Sequence, residues 1–125
     1  MIYTSYFAKI KSLPDNAVPV SICGKAPDWY KGIQYKKLAP KYDFLHEWKK
    51  NQDNDYYIKC FYEQVLDKLD AQNVANELKK LTQRKTSDSD IVLICYEKPS
   101  SFCHRHLVAE WLNKNGIPCE EWEFK

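Results

Sequence analysis

The stretch Ile91-Val-Leu-Ile-Cys-Tyr-Glu97, continued by Lys98-Pro-Ser-Ser-Phe-Cys-His-Arg-His106 and Leu107-Val-Ala-Glu-Trp-Leu-Asn-Lys-Asn-Gly116, decides the fold. Positions 91 to 94 form a short, β-branched apolar run behind the polar string Thr86-Ser-Asp-Ser-Asp90, the pattern of a strand covered on both faces, as parallel strands are. Pro99 ends the strand. Ser100 or Ser101 is placed to cap a following helix by accepting from its free first-turn amides. Asn115-Gly116 stops that helix, since glycine is free to take positive φ and Pro118 cannot continue it. Within those limits Leu107, Val108, Trp111 and Leu112 share one stripe that packs inward, with Glu110, Asn113 and Lys114 largely off it. Cys103-His104-Arg105 is therefore expected in the first helical turn, just past the carboxyl end of a strand. Unpaired amides and the helix dipole favour anions and thiolates there, and a cationic neighbour lowers a thiol's pKa further.

Cys95-Tyr-Glu97-Lys-Pro on the strand and Cys103-His-Arg105 at the helix start resemble the bacterial and phage group catalogued as domain-of-unknown-function family 488, in which a Cys-x-Glu strand and a Cys-His-Arg helix start recur. Ser21-Ile-Cys-Gly-Lys-Ala-Pro27 and Leu38-Ala-Pro40 are similar to that family's second strand and following loop, so the likeness spans most of the chain. What the resemblance implies is a compact Rossmann-like α/β domain. It supplies no established activity.

The 125 residues suit a single domain, 1–125, because a chain of this size buries roughly two-thirds of its unfolded surface around one core. The expected fold is α/β: a compact three-layer Rossmann-like domain with a mainly parallel sheet of about four strands. A net charge of +2, with bases spread among acids, is too small to argue for nucleic acid by itself, and a nucleic-acid partner is not the leading expectation. No run approaches the roughly 20 apolar residues of a membrane span, and Met1-Ile-Tyr-Thr-Ser-Tyr-Phe-Ala-Lys lacks the order of a signal peptide. A cytoplasmic protein without a membrane partner is expected. Cys23, Cys60, Cys95, Cys103 and Cys119 are odd in number and contain no Cys-x-x-Cys pair, so reduced thiols are expected, with no disulfide framework and no metal site. No cofactor is expected either, and the three glycines form no Gly-x-Gly phosphate fingerprint.

Along the chain, strands are read over 2–7 and 17–23, with Pro19 near a strand start or at an edge. Residues 25–40 read as a loop of interleaved lysines and aromatics. Helices are read over 42–51, 55–69 and 73–81, and a last edge strand over 117–124. In a parallel sheet the strand ends would gather Ser5 and Tyr6, Gly24 and Lys25, and Glu97 with Ser100, Ser101, His104 and Arg105 around one crevice. Trp29 and Lys31 of the loop would cover it, unless Trp29 and Tyr35 simply pack on the sheet. Two structural readings compete with the pocket. His104 shares the azimuth of Val108 and Trp111 and could be hydrogen-bonded beneath the sheet, and Arg105 could be held by Glu97 as an ion pair.

Three functions follow as expectations. The leading one is binding of a nucleotide-like or other phosphorylated small molecule, the helix start and Arg105 meeting its anion. The second is a thiol-dependent enzyme with Cys103 as nucleophile, His104 as base and Arg105 as anion clamp. The third is a nucleic-acid or protein interaction module using Lys79, Lys80, Arg84 and Lys85. A Cys-x-x-x-x-x-Arg phosphatase loop is excluded, because Cys103 lies two residues from Arg105 and Cys95 lies ten.

Overall fold

In the computed structural model, which describes residues 1–82, 90–97 and 101–123, the run 91–94 lies at the middle of a five-stranded sheet. The strands are β1 (Ile2–Tyr6), β2 (Ala17–Ser21), β3 (Ile33–Gln34), β4 (Asp90–Cys95) and β5 (Cys119–Glu121), in the order β3-β2-β4-β1-β5. Among the described residues every strand pairing is parallel, with β4 in register between Val18↔Ile91↔Ile2 and Ser21↔Ile94↔Ser5. Residues 91 to 95 are all buried. Because side chains alternate between faces, both faces of the sheet must be covered, which makes the architecture three-layered.

The helices are α1 (Tyr42–Asn51), α2 (Asn54–Gln64), α3 (Ala71–Thr82) and α4 (His104–Lys114). α4 packs on β1, β4 and β5, α3 packs on β4, and α1 pairs with α2. Among the described residues the buried apolar side chains, Val18 apart, join in one cluster. Among the described residues no helix is long and apolar enough to cross a membrane.

Four departures from the sequence reading have local causes. The loop at 25–40 contains β3, a strand too short to show a period, which adds a fifth strand to the expected four. Pro19 sits in the middle of β2 rather than at its start. It is tolerated because β3 pairs only with Val20 and Ser21, so no ladder donor is required beside Pro19, whose carbonyl lies 3.2 Å from a Tyr30 hydroxyl that donates chiefly to the Ile33 carbonyl at 2.6 Å. The helix expected to 69 stops at Gln64 and gives way to a 3-10 turn, Leu66–Lys68, because Val65 leaves the helical region at φ −120°. Finally, α4 begins at His104 with Cys103 as its N-cap, so Cys103 precedes the first turn instead of lying in it. Ser101 is not the cap, and Ser100 lies outside the described residues. Arg84, Lys85 and Phe124 lie outside them too.

Candidate functional site

β2 and β4 are neighbours, but the chain leaves them toward opposite edges. From β2 it goes out to β3, and from β4 it passes through α4 to β5. Parallel strands that part in this way leave a crevice beyond their carboxyl ends. A cavity of ≈ 510 Å³ occupies that place, floored by Cys23, Gly24 and Lys25 after β2 and by Cys95, Tyr96 and Glu97 at the end of β4. Leu45 and Trp48 of α1, Tyr57 of α2 and Phe102 supply an apolar wall, and Lys49 stands at its side. Phe102 is set between the Trp48 and Tyr57 rings, at 5.5 and 5.0 Å. The Tyr96 hydroxyl donates to the Lys25 carbonyl at 2.6 Å and ties the two strand ends together.

Cys95 and Cys103 meet at this cavity and are joined by a disulfide. That corrects the expectation of five reduced thiols. The last residue of β4 and the cap of α4 face each other across a turn, a closure over eight residues that Cys-x-x-Cys spacing rules do not detect. Cys23, Cys60 and Cys119 are free and buried. Burial pushes the Cys23 thiol up to about 11 and the Cys119 thiol up to about 12, so neither supplies thiolate near neutrality.

His104 lies beneath the cavity. Its Nε2 is 2.8 Å from the Ile22 carbonyl oxygen, which can only accept, so Nε2 carries the proton and Nδ1 presents its lone pair toward Cys103 Sγ at 3.8 Å. Burial holds the imidazole down to about 4. With its charged form disfavoured by burial and Nε2 committed to the Ile22 carbonyl, His104 orients and packs beside Cys103 and is poorly suited to hold its proton. Its edge meets the Phe61 ring at 5.6 Å.

Arg105 is 0% exposed. Its Nε and Nη2 each donate to a Glu121 carboxylate oxygen at 3.1 Å, a bidentate pair. Its Nη1 donates to the Glu97 carbonyl and reaches Cys95 Sγ at 3.3 Å, while the guanidinium lies 5.7 Å from the Tyr6 ring centroid. The ion-pair partner is therefore Glu121, not the Glu97 carboxylate. The charge of Arg105 is balanced within the fold rather than left for an incoming anion. Thr4 Oγ1 donates to Glu121 at 2.6 Å and fixes it.

Of the residues singled out in the sequence, the cavity brings together Gly24, Lys25, Glu97, Cys103 and His104. Ser101 lines an adjoining hollow beside Phe102 and Glu97. Ser5 is buried in β1, its hydroxyl without a hydrogen-bond partner among the described residues. Trp29, 56% exposed, and Lys31 do not line the cavity, and Trp29 instead packs against Phe7 and Tyr30. Tyr35 packs down, donating to Glu77 at 2.8 Å. Sequence reasoning missed Glu121, whose alternating acids read only as an edge strand, and the wall made by Leu45, Trp48 and Tyr57. The apolar stripe Phe44, Leu45, Trp48 was the signal available for that wall. Although no metal site was expected, the donor atoms of Cys95, Cys103 and His104 lie within 4.8 Å of one another, a set that could hold an ion once the bridge is open.

A family model described as "Active DUF488-N3 subclade" matches residues 6–116. Comparison with curated proteins and with solved structures finds no match.

Proposed function

The chain belongs to the domain-of-unknown-function family 488, in the grouping described as the active N3 subclade, and within that family we propose a thiol-dependent enzyme that exchanges a disulfide with a small molecule seated in the cavity. The observation that carries this reading is the Cys95–Cys103 bridge on the cavity floor, with Arg105 Nη1 at 3.3 Å from one of its sulfurs. In a chain expected in a reducing compartment, a bridge of this kind reads as catalytic rather than structural.

The roles follow from placement. Cys103, 7% exposed at the N-terminus of α4, is the attacking thiolate, favoured by the free amides of the helix start. It attacks one sulfur of the substrate disulfide, whose other sulfur leaves as a thiolate and takes a proton from water. Cys95, 1% exposed and beside the Arg105 guanidinium, then attacks Cys103 Sγ. That step releases the second substrate thiolate and leaves the bridge, so one protein dithiol and one substrate disulfide become one protein disulfide and two substrate thiols. An external thiol resets the pair. In the reverse sense Arg105 stabilises Cys95 as the leaving thiolate.

Iodoacetamide labelling of the reduced protein at about pH 6, mapped by mass spectrometry, tests the assignment. Cys103 should label first, with Cys23 and Cys119 protected by burial. Uniform slow labelling of all five cysteines would remove the nucleophile.

A second reading, binding of a nucleotide-like or phosphorylated molecule, is favoured by Lys25 and Lys49 lining an aromatic-walled cavity. Thermal shift with a nucleotide panel tests it, since a ligand at roughly a hundredfold its Kd adds about 2.7 kcal/mol. Absence of stabilisation by any phosphorylated compound counts against it.

A further inference from the structure

We infer that the reduced form of the Cys95–Cys103 pair, together with His104 Nδ1, is a binding site for a single Zn²⁺ ion whose fourth coordination position opens into the cavity. This goes beyond the exchange reading and does not rest on it, because it concerns the resting dithiol and requires no substrate. Reaching that state consumes two electrons and two protons, supplied by a thiol reductant, and gives two thiols. Metal binding then displaces the two thiol protons, so each sulfur donates as a thiolate.

Four observations converge. First, the donors are two sulfurs and one imidazole nitrogen, the Cys₂His set of catalytic zinc sites that keep an open position. Second, the imidazole is already set for the task. Nε2 donates to the Ile22 carbonyl, which fixes the tautomer, and Nδ1 faces the sulfurs. Third, the spacing is close to what a tetrahedral ion needs. Bond lengths of about 2.3 Å to sulfur and 2.0 Å to nitrogen separate sulfur from nitrogen by roughly 3.6 Å, and Cys103 Sγ lies 3.8 Å from Nδ1. The two sulfurs must part to roughly 3.8 Å. With the Cα atoms 7.5 Å apart, side-chain rotation suffices for that. Fourth, the charges close. A divalent ion, two thiolates and a neutral imidazole sum to zero, and Arg105 is already balanced by Glu121. A monovalent ion would leave one buried negative charge without a counterion, which favours the divalent one. Arg105 Nη1 at Cys95 Sγ serves as an outer partner to a ligating sulfur.

The test titrates Zn²⁺ into anaerobically reduced protein against a chromogenic chelator, and Co²⁺ in parallel. One equivalent should bind, and cobalt should show tetrahedral d–d bands with a thiolate charge-transfer band. Cys95→Ser, Cys103→Ser and His104→Ala each remove a ligand and should each lose the one-equivalent binding, and Cys60→Ser should not change it. If a variant fails to fold, the wild type in its bridged form supplies the control, since it should bind no equivalent at this site. An octahedral cobalt spectrum, or equal uptake by bridged and reduced wild type, overturns the assignment. The two readings fail separately: loss of metal binding leaves selective labelling of metal-free Cys103 intact, and uniform labelling leaves stoichiometric zinc intact.

Discussion

Two buried polar residues under the cavity bear most of the electrostatic risk of this fold. The His104 imidazole is held near 4, against 6.5 in the unfolded chain, mainly because burial excludes its charged form. Between those two values the unfolded chain binds the proton that the folded protein refuses, so stability falls as pH is lowered through that window and is fully present above 6.5. Two and a half pKa units correspond to roughly 3 kcal/mol. In the bridged protein, urea unfolding at pH 7 and pH 4.5 should show most of that loss for the wild type and a smaller one for His104→Gln, which can still donate to the Ile22 carbonyl. Parallel pH profiles for the two proteins would refute the assignment. Arg105 presents the opposite case, a fully buried charge kept charged by its partner. Glu121→Gln preserves shape but leaves the guanidinium uncompensated, and should cost roughly 3 kcal/mol by denaturant midpoint, the lower end of the range for breaking a buried pair because Glu121 is about a quarter exposed. A loss under about 1 kcal/mol would mean that the Glu97 carbonyl and the Tyr6 ring carry Arg105 by themselves.

At the scale of elements, α4 and β5 act as one unit, and the join between them is what sets Glu121 over Arg105. The Ile117 amide donates to the Leu112 carbonyl and the Gly116 amide to the Asn113 carbonyl, a paired closure that requires positive φ at Gly116, where φ is 78°. The Asn113 side chain then grips β5 from both sides, accepting from the Cys119 amide at 3.0 Å and donating to the Cys119 carbonyl at 2.8 Å. Gly116→Ala should cost about 1 kcal/mol from the left-handed backbone alone. Asn113→Ala should cost more, roughly 2 kcal/mol, since it strands two backbone groups at a strand edge. It should also speed hydrogen exchange at Cys119 and at Trp122, whose amide donates to the Thr4 carbonyl. Unchanged exchange there would show that β5 is held by β1 without the asparagine. These elements also show where the sequence could be read. β4 and α4 were legible because a buried strand and an amphipathic helix write their periods locally, and Gly116 marks its own φ. The Arg105–Glu121 pair was not, because its partners lie sixteen residues apart and meet only once β5 has paired with β1. The bridge was missed for a related reason: Cys103 became a cap rather than a first-turn residue, which turned it back toward the end of β4.

Across the whole molecule, the sheet with α4 carries the chemistry-bearing groups, and the α1–α2 pair supplies an apolar wall of the cavity beside them. The two parts meet through aromatic rings, and those rings differ in what they hold. Phe44 is 1% exposed and packs edge-on to Tyr57 and Phe61, so it is core. Trp48 is only half-buried, lines the cavity, touches Tyr57 and Phe102, and donates from Nε1 to Asn54 at 2.7 Å. Truncating each should therefore separate stability from access. Phe44→Ala should cost roughly 3–5 kcal/mol, as emptying a packed core position does. Trp48→Ala should cost less, because water can enter the open side of the cavity, but it should widen the cavity that the sulfurs line and raise the rate at which a bulky maleimide labels reduced Cys103 several-fold. Stopped-flow labelling alongside urea melts separates the two effects. If Trp48→Ala melts as early as Phe44→Ala while Cys103 labels no faster, the tryptophan is core and the route to the sulfurs lies elsewhere, past Lys25 and the Tyr96 hydroxyl that bridges the strand ends.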